Sequence, residues 1–270
     1  MSLFFSSLNS GSNGNCYYVG CATGAVLIDA GISCRETEKR MLSLGLSLKS
    51  VKAIFISHEH TDHIKGVATL SSKFNIPVYI TNKTANYCVG LKANLCRHFE
   101  EGQTITAGQL NITPFTKFHD GCDPHSFVVS YSGLTVGIFT DIGKVCKNLI
   151  HYFKKCDAAF LETNYDEQML ETGSYPLVLK RRIRSGHGHL SNTQALELFL
   201  QHRSKKLSHL LLSHLSRENN HPEIVEKTFS PYAGSTKIIV ASRDQASPVF
   251  SITGNGFAAV NQSAKQLQLF

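Results

Sequence analysis

The chain has 270 residues, 42% hydrophobic and 17% charged, a composition that supports a packed core and excludes disordered and fibrous classes. Its 27 Lys and Arg against 20 Asp and Glu leave a net +7 with neutral histidines, so the surface favours anionic partners such as nucleic acid. No run approaches the roughly 20 apolar residues a membrane helix requires, and the opening MSLFFSSLNSGSNGNC lacks the charged start of a secretory signal, so a cytoplasmic protein with no membrane partner is expected.

Runs rich in β-branched and aromatic residues, bounded by turn residues, predict strands at Cys16 to Val19 and Ala25 to Asp29. A helical pattern follows near Arg35 to Leu44, then strands at Ala53 to Ser57, Val78 to Ile80, Ile112 to Phe118, Ser126 to Ser130, Thr135 to Thr140 and Ala158 to Glu162. A helix near Thr193 to Arg203 starts at a capping box, Ser191 with Gln194, and places His189 just outside its N-terminus. A strand at Leu207 to Ser213, a helix near Glu223 to Phe229 and a strand at Lys237 to Ala241 complete the series. No linker or repeat divides the chain, and hairpins followed by strands alternating with helices predict an α/β (α+β) fold in a single domain, residues 1–270. Eight cysteines occur without a CxxC pair, which predicts free thiols in a reducing compartment rather than a disulfide framework.

Chemistry concentrates in AIFISHEHTDHIKG, where His58, His60, Asp62 and His63 directly follow an apolar strand. In an extended loop alternate residues point the same way, so His58 and His60 can face one cation while Asp62 and His63, entering a helical turn, face another. Two ligand pairs imply two metal ions.

HEHTDH resembles the His-x-His-x-Asp-His signature of the metallo-β-lactamase superfamily, and the resemblance covers nearly the whole chain. It implies a four-layer αββα sandwich with a metal site at one edge of its paired sheets. It also assigns Asp29 in AVLIDAG, His119 in FTKFHD, Asp141 in VGIFTDIG and His214 in HLLLSHLS, all where an apolar strand stops. The implied division puts His58, His60 and His119 on one metal and Asp62, His63 and His214 on the other, with Asp141 bridging. Asp29 would sit behind them, orienting a ligand imidazole. His125 is an alternative to His119, although it follows Pro124 in a turn whereas His119 ends a strand-like run. Two divalent ions per chain are expected, zinc or manganese, since both suit histidine and aspartate donors.

That scaffold hosts β-lactam, thiolester and phosphodiester hydrolysis, so other motifs must choose among them. At a capped helix start, the His189 imidazole and free backbone N–H groups can face one anion-sized space, which suits a phosphate. SGHGHLSN also resembles the Gly-His-Ser segment of the transfer-RNA 3′-end nucleases of the superfamily, which implies that His189 contacts the scissile phosphate as general acid. Just upstream, Lys180, Arg181, Arg182 and Arg184 form a basic run expected to clamp a nucleic-acid backbone. The strings SGSNGNCYYV, LETNYDEQML, GHLSN and HLSRENN resemble the YycJ/WalJ-like branch in the same order. This implies a dinuclear metal-dependent phosphodiesterase, a DNA 5′-to-3′ exonuclease, with Asp62 accepting a hydrogen bond from the attacking water. The alternative is a thiolester or small-ester hydrolase of the glyoxalase II type. It explains the metals equally well but leaves His189, the basic run and the net charge without a role. A third reading, a metal-bound module that holds nucleic-acid ends uncut, leaves the open water position without a role.

Overall fold

In the computed structural model, residues 1–254 are described. Three antiparallel strands open the chain, β1 (Ser2–Asn9), β2 (Cys16–Cys21) and β3 (Gly24–Ile28). After α1 (Cys34–Ser43), β4 (Val51–Phe55) lies parallel to β3. Then come α2 (Thr61–Ile64), α3 (Val67–Phe74), β5 (Val78–Ile80), α4 (Asn82–Ala85) and β6 (Cys96–His98), the last two strands extending the parallel side.

A second sheet begins with an antiparallel meander, β7 (Ile105–Ala107), β8 (Leu110–Thr116), β9 (His125–Tyr131) and β10 (Leu134–Phe139). It continues through α5 (Lys147–Phe153), β11 (Ala158–Glu162), α6 (Glu167–Thr172), α7 (Leu177–Arg184), α8 (Asn192–His202), β12 (His209–Ser213), α9 (Pro222–Phe229) and β13 (Lys237–Val240). Here β10, β11, β12 and β13 run parallel, while β14 (Phe250–Thr253) returns to the first sheet beside β1. The sheet orders are β14-β1-β2-β3-β4-β5-β6 and β13-β12-β11-β10-β9-β8-β7.

Strand β3 shows why the layers form. Its Val26 and Ile28 join Phe5, Phe55, Phe127 and Phe160 between the sheets, whereas Ala25 and Leu27 join Met41, Val67 and Leu70 of the covering helices. This is the two-residue alternation of a pleated strand with both faces covered. On the other side Phe139, Leu161 and Leu212 pack with Leu149, Phe199 and Phe229 of α5, α8 and α9. Each fully buried Phe or Leu contributes about 1.5–3 kcal/mol. The result is the αββα sandwich expected from the sequence.

The parallel strands β3, β4, β10, β11 and β12 end at one rim, and side chains that follow their last residues converge there. Three residues immediately beyond the apolar runs take left-handed backbone conformations, Asp29 (φ 61°), Asp141 (φ 56°) and His214 (φ 59°). For residues other than glycine this is a sparsely populated region, and it turns each side chain sharply off its strand. Two expectations need correction. β8 stops at Thr116, short of Phe118, and His125 is no turn residue: it opens β9 opposite Thr116.

Candidate metal centre

Strand β4 delivers His58 three residues past its end, and His60 stands at the start of α2, so Asp62 and His63 fall in that short helix's first turn. This loop is keyed to the segment after β3. The Asn15 N–H donates to Asp62 O at 2.7 Å, the Ala30 N–H to His63 O at 2.9 Å and the Gly66 N–H to Ala30 O at 2.8 Å. Gly31 is required for that approach, because a Cβ there would stand 1.6 Å from Asp62 O.

One side of the cluster is formed by His58, His60 and His119. His60 Nδ1 lies 3.1 Å from His58 Nε2 and 3.4 Å from His119 Nε2, and one ring nitrogen of each falls within 4.8 Å of the others. The other side is formed by Asp62, His63 and His214, whose donor atoms also fall within 4.8 Å of one another. His63 Nε2 is 3.5 Å from Asp62 Oδ2 and 3.2 Å from Asp141 Oδ2, and Asp62 Oδ2 is 3.6 Å from His214 Nε2. Asp141 stands between the two sides, 3.7 Å from His119 Nε2 through Oδ1.

The tautomers follow from the partners on the far side of each ring. Ser57 Oγ has one proton and donates it to Asp29 Oδ2 at 2.8 Å, so it accepts from His58 Nδ1–H at 2.9 Å. His63 Nδ1–H donates to Asp29 Oδ2 at 2.7 Å, His119 Nδ1–H to Gly188 O at 3.0 Å, and His214 Nδ1–H to Glu162 Oε1 at 2.9 Å. In each ring the remaining nitrogen is directed toward the shared centre, the arrangement that fixes metal-ligating imidazoles. His214 Nε2 and Asp141 Oδ2 are buried and make no directed hydrogen bond. Such unpartnered buried atoms, with this nitrogen-and-carboxylate donor set, fit divalent cations.

Electrostatics point the same way. Burial drives the His58 imidazole well below its ordinary value and His119 down to about 3, so both offer lone pairs at neutral pH. Burial also opposes charge on His63 and His214, but the carboxylates outweigh it: Asp141, Asp29 and Asp62 push His63 well up, and Asp141, Asp62 and Glu162 push His214 to about 10. Burial opposes ionisation of Glu162 as well, yet His189 and His214 bring it down to about 2. A pocket with this much buried negative charge calls for cations, and without metal His63 and His214 answer with protons.

A model described as Beta-lactamase superfamily domain matches residues 25–214, a span that runs from β3 to the last histidine of the cluster. The chain belongs to the metallo-β-lactamase superfamily. It is 35% identical over 234 residues to a protein named Exodeoxyribonuclease YycJ from Bacillus anthracis, covering 85% of this chain and 89% of that one. It is 32% identical over 230 residues to one named Exodeoxyribonuclease WalJ from Streptococcus pneumoniae serotype 2, covering 83% and 86%. In fold it matches the metallo-β-lactamase fold protein YhfI from Bacillus subtilis with a TM-score of 0.72 over 93% of this chain and 99% of that chain, at 17% identity. Membership makes this chain a metallo-β-lactamase-fold hydrolase, and the fold implies divalent metal ions.

At the lip of the metallo-β-lactamase cluster, His189 Nδ1–H donates to Glu162 Oε1 at 2.8 Å, which leaves Nε2 as the nitrogen free to meet a ligand, with 22% of the side chain exposed. The helix start beside it differs from expectation. Its N–H groups are not free to cradle an anion: Leu190 N donates to Glu162 Oε2, Ser191 N to Gln194 Oε1, Asn192 N to Tyr165 O and Gln194 N to Ser191 Oγ. His125 takes no part, its Nδ1 bonding Asp123 O and its ring lying edge-on to Phe99.

The basic run lies on α7, and much of it has partners within the chain. Arg182 pairs with Asp120 at 2.6 Å, Arg184 pairs with Glu171, and Lys180 donates to Glu171 O at 2.6 Å, whereas Arg181 is exposed and has no partner among the described residues. Asp120 also lies 3.4 Å from His119 Nε2 and 3.6 Å from His60 Nε2, which brings Arg182 to the cluster's mouth.

Sequence reasoning missed Glu162, Asn15, Ser57 and Asp120. Glu162 carried a usable signal, an acidic residue closing the apolar strand Ala158–Glu162 just as Asp29 and Asp141 follow theirs. Asn15 did not, for its contact with Asp62 Oδ2, at 3.1 Å, crosses 47 positions of the chain.

Proposed function

We propose that this chain is a cytoplasmic metal-dependent phosphodiesterase that degrades DNA from the 5′ end with two divalent ions, zinc or manganese. The observation that carries this reading is the set of buried histidines, each anchored through one nitrogen and turned with the other toward a centre flanked by Asp62 and Asp141. The exodeoxyribonuclease names of the two bacterial relatives support a DNA substrate. The direction rests on the resemblance of SGSNGNCYYV, LETNYDEQML, GHLSN and HLSRENN to the YycJ/WalJ-like branch.

In this reading His58, His60 and His119 would hold one ion and Asp62, His63 and His214 the other, with Asp141 placed between the two sets. Bound there, such ions acidify a water molecule and neutralise charge on the phosphate. Asp29, buried behind the cluster, holds His63 directly and His58 through Ser57. Asp62 accepts a hydrogen bond from the attacking water and orients it. His189, fixed from behind by Glu162, presents Nε2 to the departing oxygen and protonates it. Arg181 and Arg182, with Lys180 and Arg184 beside them, supply the electrostatic attraction for the strand, which weakens as salt rises.

The test is incubation of 5′- and 3′-labelled single-stranded DNA, double-stranded DNA and RNA with manganese or zinc, beside the Asp141→Ala protein. Ladders from the 5′ end of DNA, absent in the variant, are expected. Intact nucleic acid together with hydrolysis of S-lactoylglutathione would replace this reading with a thiolester hydrolase.

A further inference from the structure

The loops that carry His119, Asp141 and His189 also present a second surface beside the cluster. Phe118 precedes His119 and is 39% exposed, while His187 stands two residues before His189 and is exposed. Lys144, three residues past Asp141, holds its Nζ 3.9 Å from the Phe118 ring centroid, and the His187 ring meets Phe118 edge-on at 5.9 Å. The three loops are locked together. The Gly143 N–H donates to Phe118 O at 2.6 Å, and a Cβ on Gly143 would stand 2.4 Å from Gly186 O. From this aromatic corner a groove of about 670 Å³ runs outward, lined by Phe118, Lys144, Cys146, Lys147 and Asn148 among others, with no carboxylate in its lining. Glu101 is the nearby carboxylate, and it accepts hydrogen bonds from Thr116 and Asn148 of the lining.

An exposed aromatic ring with one lysine over it and an imidazole at its edge, one residue from a histidine of the cluster and lining a groove with a second lysine, matches the chemistry of a single nucleic-acid strand, in which bases stack and phosphates seek cations. We infer that Phe118, Lys144 and His187 form a stacking subsite for the base next to the scissile phosphate, and that Lys147 in the groove takes the following phosphate. This subsite rests on the phosphodiesterase reading above. Lys144 lies over one face of the ring, and the area Phe118 leaves exposed is what a base would cover.

The experiment compares kcat/KM of the metal-loaded protein on oligothymidylate and on an oligomer of equal length built from abasic tetrahydrofuran nucleotides. Wild-type protein should favour the base-bearing strand by about 5- to 150-fold, the range of stacking one base on an aromatic side chain. Phe118→Ala should bring that ratio close to one, Phe118→Trp should keep it, and Phe118→Leu, which retains bulk without a π face, should follow Ala and serves if the Ala protein fails to load metal. Lys147→Ala should lower the slope of log kcat/KM against log salt by about 0.7. A Phe118→Ala protein that keeps the wild-type ratio, or a wild-type ratio near one, overturns the subsite. An unchanged salt slope removes Lys147 from it. Wild-type protein that cuts no nucleic acid at all removes the nuclease reading itself, and the subsite with it.

Discussion

Replacing Glu162 with glutamine separates the two halves of the cluster. The carboxylate serves four donors: Oε2 accepts Ile142 N–H at 2.7 Å and Leu190 N–H at 3.1 Å, while Oε1 accepts His189 Nδ1–H at 2.8 Å and His214 Nδ1–H at 2.9 Å. A glutamine has one oxygen, and the buried backbone pair claims it. The amide NH2 then faces the two rings, and each Nδ1 must become an acceptor. Their protons move to Nε2, the nitrogen that His214 turns toward Asp62. Two hydrogen bonds to a charged acceptor at about 1.5–3 kcal/mol each set a ceiling of about 3–6 kcal/mol, part of which the amide's own donation restores. We expect metal affinity of the Asp62, His63 and His214 side to fall about 10- to 100-fold. The His58, His60 and His119 side, which makes no hydrogen bond to Glu162, should keep its affinity. Calorimetric titration of metal into chelator-stripped protein reads both. Equal weakening of the two sites, or of neither, would refute the tautomer argument.

Other predictions follow from the same geometry. His189→Ala should lower kcat by about 10²- to 10⁴-fold while metal content, measured by elemental analysis, stays at the wild-type level, and loss of metal would show that His189 serves the cluster rather than the leaving oxygen. Gly31→Ala drives a Cβ into Asp62 O, so it should destabilise the fold by about 1–3 kcal/mol and reduce bound metal. Urea unfolding with an unchanged midpoint would contradict this. In metal-stripped protein, the raised His214, at about 10, contributes stability that is full below its ordinary 6.5 and lost as pH climbs through 10. The lowered Glu162, at about 2, contributes stability present above 4.5 and lost as pH falls through 2. The lowered His58 and His119 cost stability as pH falls below 6.5, so urea midpoints of the stripped protein should peak near pH 6.5, and a maximum near pH 9 would refute the assignment.

Much of this was legible in the chain because the residues concerned close apolar strands. His58, Asp141 and His214 each follow a run of buried aliphatic or aromatic residues, and a strand that is apolar throughout must end where its polar residues begin, here at a common rim. The capping box at Ser191 and Gln194 was equally plain, being a local signal. What the chain concealed depends on distant pairing. The N–H groups at the start of α8 looked free because Glu162, 28 positions before Leu190, and Tyr165 fill them through the fold. The basic run looked like an unopposed cationic stripe because the carboxylate facing Arg182 comes from Asp120, 62 positions away. Strand β1 carried too many serines to read as apolar, yet it is buried because Ser6 and Ser7 hydrogen-bond Ser247 across 240 residues and more.

The cluster draws on both sheets, and the chain delivers its parts in order. On the proposed ligand scheme, His58, His60, Asp62 and His63 leave the ribosome together, His119 next, then Asp141, and His214 only after β12. The three-histidine side is therefore complete in covalent terms well before its partner, at a stage when the second sheet has only its opening strands. Covalent presence is not yet a formed site, since the His119 ring is oriented by Gly188 O, 69 positions later. On that scheme the Asp62, His63 and His214 position cannot be completed before β12 is made, so its ligand set requires both sheets.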